Sequence, residues 1–196
     1  MITTKFITKM SLIVSFIGIV VGGGIWYATS RVLHPTGPIY RFDNARDRAD
    51  LLELFERERF ILTATPDSNY SPEYMIDNMA PNKTPKYQGA MTIDVLRPEG
   101  KFAGFVTYFF EEPTRGRILF LAIHPDFRNK GYGKLMIKHA IKALHGRGAQ
   151  KVVLVTRTFN LPAQKVYETV GFRSVKRDYD EFVHYEFTDF DLLDEK

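Results

Sequence analysis

Leu121-Ala-Ile-His-Pro-Asp-Phe-Arg-Asn-Lys-Gly-Tyr-Gly-Lys134 passes from an apolar stretch, through Pro125, into a basic loop punctuated by glycine. Glycines at 131 and 133 allow a tight turn and a close approach of backbone to a ligand. The helix that follows starts with amides that lack partners inside it and carry the positive end of its dipole, which suits an anion. Arg128, Lys130 and Lys134 add charge around those donors, so a diphosphate would find both hydrogen bonds and a favourable field. Taken alone, a Gly-x-Gly also closes many ordinary turns.

A second motif removes that ambiguity. Asn160-Leu-Pro-Ala-Gln-Lys-Val-Tyr-Glu-Thr-Val-Gly-Phe172 follows the apolar run Lys151 to Thr156 and reads as strand, cap, helix and stop. Together the two segments resemble the Gcn5-related N-acetyltransferase (GNAT) superfamily. Arg128-x-x-Gly131-x-Gly133 is similar to its acetyl-CoA signature, and Asn160-x-x-Ala163-x-x-x-Tyr167-x-x-x-Gly171-Phe172 to its later motif. The resemblance implies an α/β (α+β layered) fold with a mixed central sheet of about six or seven strands flanked by helices. It also implies an enzyme that moves an acetyl group from acetyl-CoA to a primary amine of a protein, peptide or small molecule by direct attack. A nucleotide-binding reading of the loop is weaker, since no third glycine and no suitably placed acidic residue follow.

What the resemblance implies for the site is specific. In relatives the pantetheine arm lies along the strand that here ends Leu121-Ala122-Ile123, and the diphosphate rests on the loop Arg128, Asn129, Lys130, Gly131, Tyr132, Gly133 and Lys134. Tyr167 matches the tyrosine that protonates or hydrogen-bonds the departing thiolate; a phenol with a pKa near 10 keeps its proton at neutral pH. A plain core tyrosine would occupy the same inward position. Asn160 matches a residue that bonds the pantetheine, while asparagine is also an ordinary helix cap. Branches that acetylate histone lysines carry a glutamate where this chain has Arg117, and a branch acting on protein amino termini carries one at Val155. Neither carboxylate is present. Glu111, Glu112 and His184 are candidate bases in their stead, beside a water chain or an acceptor that is already neutral. The missing carboxylates also feed a reading of another class, a catalytically weak, membrane-tethered acetyl-CoA-binding module acting as sensor or scaffold.

Composition narrows the field. A chain of 196 residues holds one well-buried core more readily than two domains. With no cysteine there is no disulfide, thiolate metal site or cysteine nucleophile, and the histidines show no paired ligand spacing, so no metal is expected. The net charge of +4 is scattered and lacks basic patches interleaved with aromatics, so nucleic acid is not an expected partner.

Met10 to Thr29 carries no charged side chain, and its 20 residues would cover the roughly 30 Å hydrocarbon core of a bilayer as a helix. Lys5 and Lys9 precede it and Trp26-Tyr27 sit near its far end, at interfacial positions. The reading taken forward is an uncleaved anchor: residues 1–30 a hydrophobic helix, 31–38 a linker, 39–196 the acetyltransferase domain. The membrane is then a partner through residues 10–29, with a single pass and the catalytic domain in the cytoplasm, where acetyl-CoA is found. A signal peptide cut after Ala28-Thr-Ser30, giving a secreted domain, and a buried helix of the fold are the alternatives.

Within the domain, Ile39 to Phe42 reads as a strand, and Asp43 or Asn44 caps a helix with apolar positions Ala49, Leu52, Leu54, Phe55 and Phe60. Thr63 to Gly89, broken by Pro66, Pro72, Pro81 and Pro85, reads as a long excursion, helical only at Glu73 to Met79. Its Tyr70, Tyr74 and Tyr87 are candidate acceptor contacts. Met91 to Leu96, Phe102 to Glu111 and Arg117 to Ile123 form an antiparallel meander. Gly131 to Leu144 is a helix burying Met136, Ile137, Ala140, Ile141 and Leu144, with Gly146 as its stop. Val152 to Val155 should run parallel to Arg117 to Ile123, with the ligand crevice between them. Ala163, Val166, Tyr167 and Val170 share a helix face, and Phe172 to Tyr179 with Phe182 to Thr188 close the domain as a hairpin.

Overall fold

The computed structural model describes residues 20–21, 24–25, 38–63, 70–78, 88–178 and 181–193. The chain divides into two units, Met1–Pro35 and Thr36–Lys196. In the first, β1 (Val20–Val21) and β2 (Gly24–Ile25) pair antiparallel, Val20 opposite Ile25 and Val21 opposite Gly24. The expected hydrophobic helix is therefore corrected at these four positions. The β-branched side chains of Val20, Val21 and Ile25 favour pleated backbone. The remainder of residues 1–30 and most of the 31–38 linker lie outside the described residues. Among the described residues no helix is long and apolar enough to cross a membrane.

The second unit runs β3 (Ile39–Arg41), α1 (Asn44–Leu62), α2 (Pro72–Asn78), β4 (Gln88–Leu96), β5 (Gly104–Glu112), β6 (Arg115–Ile123), α3 (Tyr132–His145), β7 (Lys151–Arg157), α4 (Leu161–Val170), β8 (Arg173–Asp178) and β9 (Phe182–Phe187). Its sheet has the order β3-β4-β5-β6-β7-β9-β8, with β6 and β7 parallel and the other neighbours antiparallel. The closing hairpin is present, and its second strand inserts beside β7. Composition explains the order: β9 alternates buried Val183, Tyr185 and Phe187, whereas β8 reads Arg-Ser-Val-Lys-Arg-Asp and is exposed, as suits an edge guarded by charge. The meander holds too, with β6 starting at Arg115 because Glu112 already pairs with Arg115 across a two-residue turn.

Helices cover both faces. On one, Leu51, Leu54 and Phe55 of α1 pack on Ile93, Phe105 and Phe120. On the other, Met136, Ile137, Ala140, Ile141 and Leu144 of α3 join Val152, Leu154 and Tyr185, with Tyr167 and Val170 of α4. Each large side chain so buried contributes about 1.5–3 kcal/mol. Asp43 caps α1, its carboxylate accepting from the Arg46 amide at 2.9 Å. Phe60, expected in the core, is half exposed. Tyr70 stacks on Phe55 and meets Phe120 edge-on, so it belongs to this packing and is corrected as an acceptor contact. The Tyr74 side chain and Tyr87 lie outside what is described.

One polar cluster lies between sheet and helix. Asp94 of β4 is buried; the Tyr108 hydroxyl donates to its Oδ2 at 2.6 Å, His139 Nε2 lies 2.7 Å from the same oxygen, and Arg41 is 3.4 Å from the other. Burial, the largest influence, pushes the Asp94 carboxyl up, but the bonds from His139 and Tyr108 together with the Arg41 charge outweigh it and hold it below the ordinary carboxylate value. Asp94→Ala leaves the buried Tyr108 hydroxyl without its acceptor and should cost about 1–3 kcal/mol in denaturant melts. The sign with pH follows. A carboxyl lowered on folding gives stability that is present above its unfolded value near 3.9 and is lost as pH falls through the folded one. Between pH 4 and 2 the wild type should therefore lose stability more steeply than Asp94→Asn.

Candidate functional site

The parallel register of β6 and β7 runs Arg115 with Lys151, Gly116 with Val152 and Arg117 with Val153, and stops there. β6 continues to Ile123, still paired on its other side with β5, and β7 continues to Arg157, paired with β9. The two strands thus part into a wedge whose inner edges have no strand partner. At the far lip the nearly buried Arg157 guanidinium lies 5.0 Å from the Phe60 ring, 5.7 Å from Phe159 and 5.0 Å from Phe182. Its NH2 also donates to the Thr63 carbonyl at 3.1 Å, which ties β7 to the end of α1.

The wedge opens into a cleft of about 510 Å³, lined by Leu121 to Ile123, Arg128, Asn129, Gly131 to Lys134, Asn160 and Tyr167. Of the residues expected to bind the cofactor or serve as proton donor, all but Lys130 line it, whereas the candidate bases Glu111, Glu112 and His184 do not. At the mouth, Asn129 and Gly131 take left-handed backbone with φ of 59° and 80°. Leu135 is the first amide of α3 to find a carbonyl, that of Gly131 at 3.0 Å, so the amides of Gly131 to Lys134 ahead of it have no partner among the described residues. A Cβ built on Gly131 meets no protein atom within 4 Å and would stand in the open space of the cleft. Bare amides around a space that only a hydrogen side chain leaves open fit the diphosphate of acetyl-CoA.

Two of the three expected cations are otherwise engaged. Arg128 NH2 lies 2.6 Å from Glu58 Oε1, and its Nε donates to the Ile123 carbonyl at 2.9 Å. Lys130 Nζ donates to the Asp126 carbonyl at 2.9 Å and sits over the Phe127 ring, and Lys130 does not line the cleft. Lys134 lines the cleft with no carboxylate partner among the described residues. Glu58, a cleft-lining carboxylate on α1, escaped the sequence reading because nothing local signals a helix residue meeting a loop seventy positions away.

Tyr167 reaches the cleft while only 8% exposed. Burial pushes its phenol up to about 12, with Tyr185 adding to the rise and the Thr156 hydroxyl opposing it. Such a phenol keeps its proton at neutral pH and can offer it as a hydrogen bond. Asn160 does not cap α4 with its side chain; its Nδ2 donates to Thr156 Oγ1 at 3.2 Å. Gln164 instead fixes the turn, donating to the carbonyls of Arg157 at 3.1 Å and Thr158 at 2.7 Å.

The candidate bases separate clearly. Glu111 is buried and gripped by Arg117 through two 3.0 Å bonds, with Arg115 at 3.2 Å. Glu112 is exposed on the turn and bonded to Arg115. His184 lies directly opposite Val155, its Nε2 2.6 Å from Asp178 Oδ2.

Comparison with known proteins agrees with this geometry. The model of the acetyltransferase (GNAT) family matches residues 49–172. The ribosomal protein bS18-alanine N-acetyltransferase of Escherichia coli (strain K12) is 31% identical over 88 residues, 43% of this chain and 57% of its own length. N-alpha-acetyltransferase 30 of Schizosaccharomyces pombe is 37% identical over 65 residues, 33% of this chain and 43% of its own length. The chain thus spans about half the length of the relatives it matches. A Bacillus subtilis acetyltransferase, solved in complex with CoA, superposes with a TM-score of 0.56 at 16% identity, covering 76% of this chain and 97% of that one, a likeness of fold.

Proposed function

The chain belongs to the acetyltransferase (GNAT) family, and from that premise we propose that it moves the acetyl group of acetyl-CoA onto a primary amine by direct attack. The observation that carries this is the coincidence, in one cleft, of a parted strand pair, a row of bare helix-start amides and a buried tyrosine. Bound acetyl-CoA supplies the activated thioester. The loop from Asn129 to Lys134 holds its diphosphate, and the inner edge of Leu121 to Ile123 offers backbone groups to its amide-bearing arm. Positioning of this kind lowers a barrier by roughly 7–11 kcal/mol. Tyr167 holds a proton for the sulfur that leaves, and the apolar walls keep water from competing.

For the acceptor, the names of the relatives favour an amine of a protein or peptide, the amino terminus first. The test is direct: purified full-length chain is mixed with acetyl-CoA and a panel of amino-terminal peptides, lysine peptides and small amines, and free CoA is measured. We expect release that requires an acceptor. Calorimetric binding of acetyl-CoA without release for any amine would favour the binding module instead.

We also propose that residues 10–29 tie the chain to a membrane with the domain on the cytoplasmic side. Support comes from the uncharged sequence alone, and the β1–β2 pair runs against a continuous helix there. Protease treatment of sealed vesicles should spare the domain until they are opened; its recovery free in the medium would favour a cleaved signal.

A further inference from the structure

We propose that His184, oriented by Asp178, takes the proton from the attacking amine. This rests on the acetyl-transfer reading, and four observations converge on it. The last β6–β7 pair ends at Val153, so Val155 stands on the lip of the wedge, and His184 is its direct cross-strand neighbour. Such neighbours have Cβ atoms about 5 Å apart and share one face of the sheet. Alternation then sets the sides: Leu154, Val183 and Tyr185 point to the face where Tyr167 packs, so Val155 and His184 point to the other. Tyr167 therefore lies at the wedge on one face of the sheet, and His184 lies on the other face, one strand in from the wedge and outside the cleft lining.

Orientation is the third observation. Asp178 Oδ2 lies 2.6 Å from His184 Nε2, which places the ring proton on Nε2 and leaves Nδ1 as the acceptor; the ring is about one-third exposed, so an amine can reach it. The fourth is elimination, since Glu111 is locked between two arginines and Glu112 is held on the turn. Of the other charges on this side, Lys176 of β8 stands directly opposite His184 and bonds the other oxygen of Asp178, Lys151 of β7 pairs with Glu186 of β9, and Arg117 of β6 pairs with Glu111. Glu58, the carboxylate that lines the cleft, is held by Arg128, which leaves the His184 ring as the base.

In the step itself the amine nitrogen forms a bond to the thioester carbon and the C–S bond breaks. The ammonium gives its first proton to His184; Tyr167 gives its proton to the departing sulfur, and the second proton lost from nitrogen as the amide forms restores the Tyr167 phenol. The products are the amide and CoA, with one net proton released.

The experiment uses the full-length chain. His184→Gln should lower kcat about tenfold at neutral pH, with the deficit closing as pH rises and the acceptor deprotonates in solution. Acetyl-CoA affinity by calorimetry should stay within twofold, and added imidazole should restore part of the rate. Asp178→Asn, which keeps both side-chain shapes, should lower kcat less and gain nothing from imidazole. An active wild type with a His184→Gln variant of unchanged rate and pH profile overturns this proposal alone. A wild type that binds acetyl-CoA and acetylates no amine overturns the transfer reading with it.

Discussion

Replacing Tyr167 with phenylalanine should lower kcat for acetyl transfer by about 100-fold or more while leaving acetyl-CoA affinity within a factor of two. The magnitude is that of a positioned proton donor removed from the transition state. The split between rate and affinity follows from the packing. The ring of Tyr167 meets Phe172 and Tyr185 edge-on, and phenylalanine keeps those contacts and the wall of the cleft. The hydroxyl alone is lost, together with a proton that burial holds in place up to about pH 12. Steady-state kinetics beside calorimetric titration checks it. Equal losses of rate and affinity would make Tyr167 a structural residue whose removal deforms the wedge.

Gly131→Val should weaken acetyl-CoA binding by at least about tenfold, with little loss of thermal stability beyond backbone strain. Gly131 sits at φ 80°, a region that costs an ordinary residue roughly 1–2 kcal/mol. The valine side chain would stand where no protein atom lies within 4 Å, in the space the diphosphate needs, and would cost at least one charge-assisted amide bond of roughly 1.5 kcal/mol. The strain falls on stability and the lost bond on binding, about one power of ten in affinity. Arg128→Ala should cost far less, since that guanidinium already serves Glu58 and the Ile123 carbonyl. A calorimetric ranking with Arg128 ahead of Gly131 would shift the binding energy from amides to side-chain charge.

Much of this was legible in the chain because it is written locally. Pro125, Gly131 and Gly133 announce the strand-to-helix turn, and the 3.6-residue spacing of Met136, Ile137, Ala140, Ile141 and Leu144 names the buried face of α3. The continuous apolar run at Val152 to Val155 fits a strand covered on both faces, and the crevice falls where its pairing with β6 ends. What stayed hidden is long-range. That β9 enters between β7 and β8 follows from the charge on β8, visible only once the two are compared as rivals for an edge. That Arg128 turns to Glu58 depends on α1 crossing the end of β6, which no spacing within either segment encodes. His184 can be named a candidate base from the sequence, but its place opposite Val155 comes only from strand register. The contacts of Lys130 are hidden in the same way, because a cation beside a glycine turn looks the same whether it faces the cleft or folds back onto Asp126 and Phe127.

Hydrogen exchange at the backbone amides tests the central claim most directly. With saturating acetyl-CoA, the amides of Gly131 to Lys134 and those of β6 beyond Arg117 should exchange at least tenfold more slowly, while those of β3 and β8 keep their rates. Unchanged exchange at the α3 start and along the open edge of β6, at concentrations where calorimetry shows the carrier bound, would place the binding site elsewhere and contradict the account.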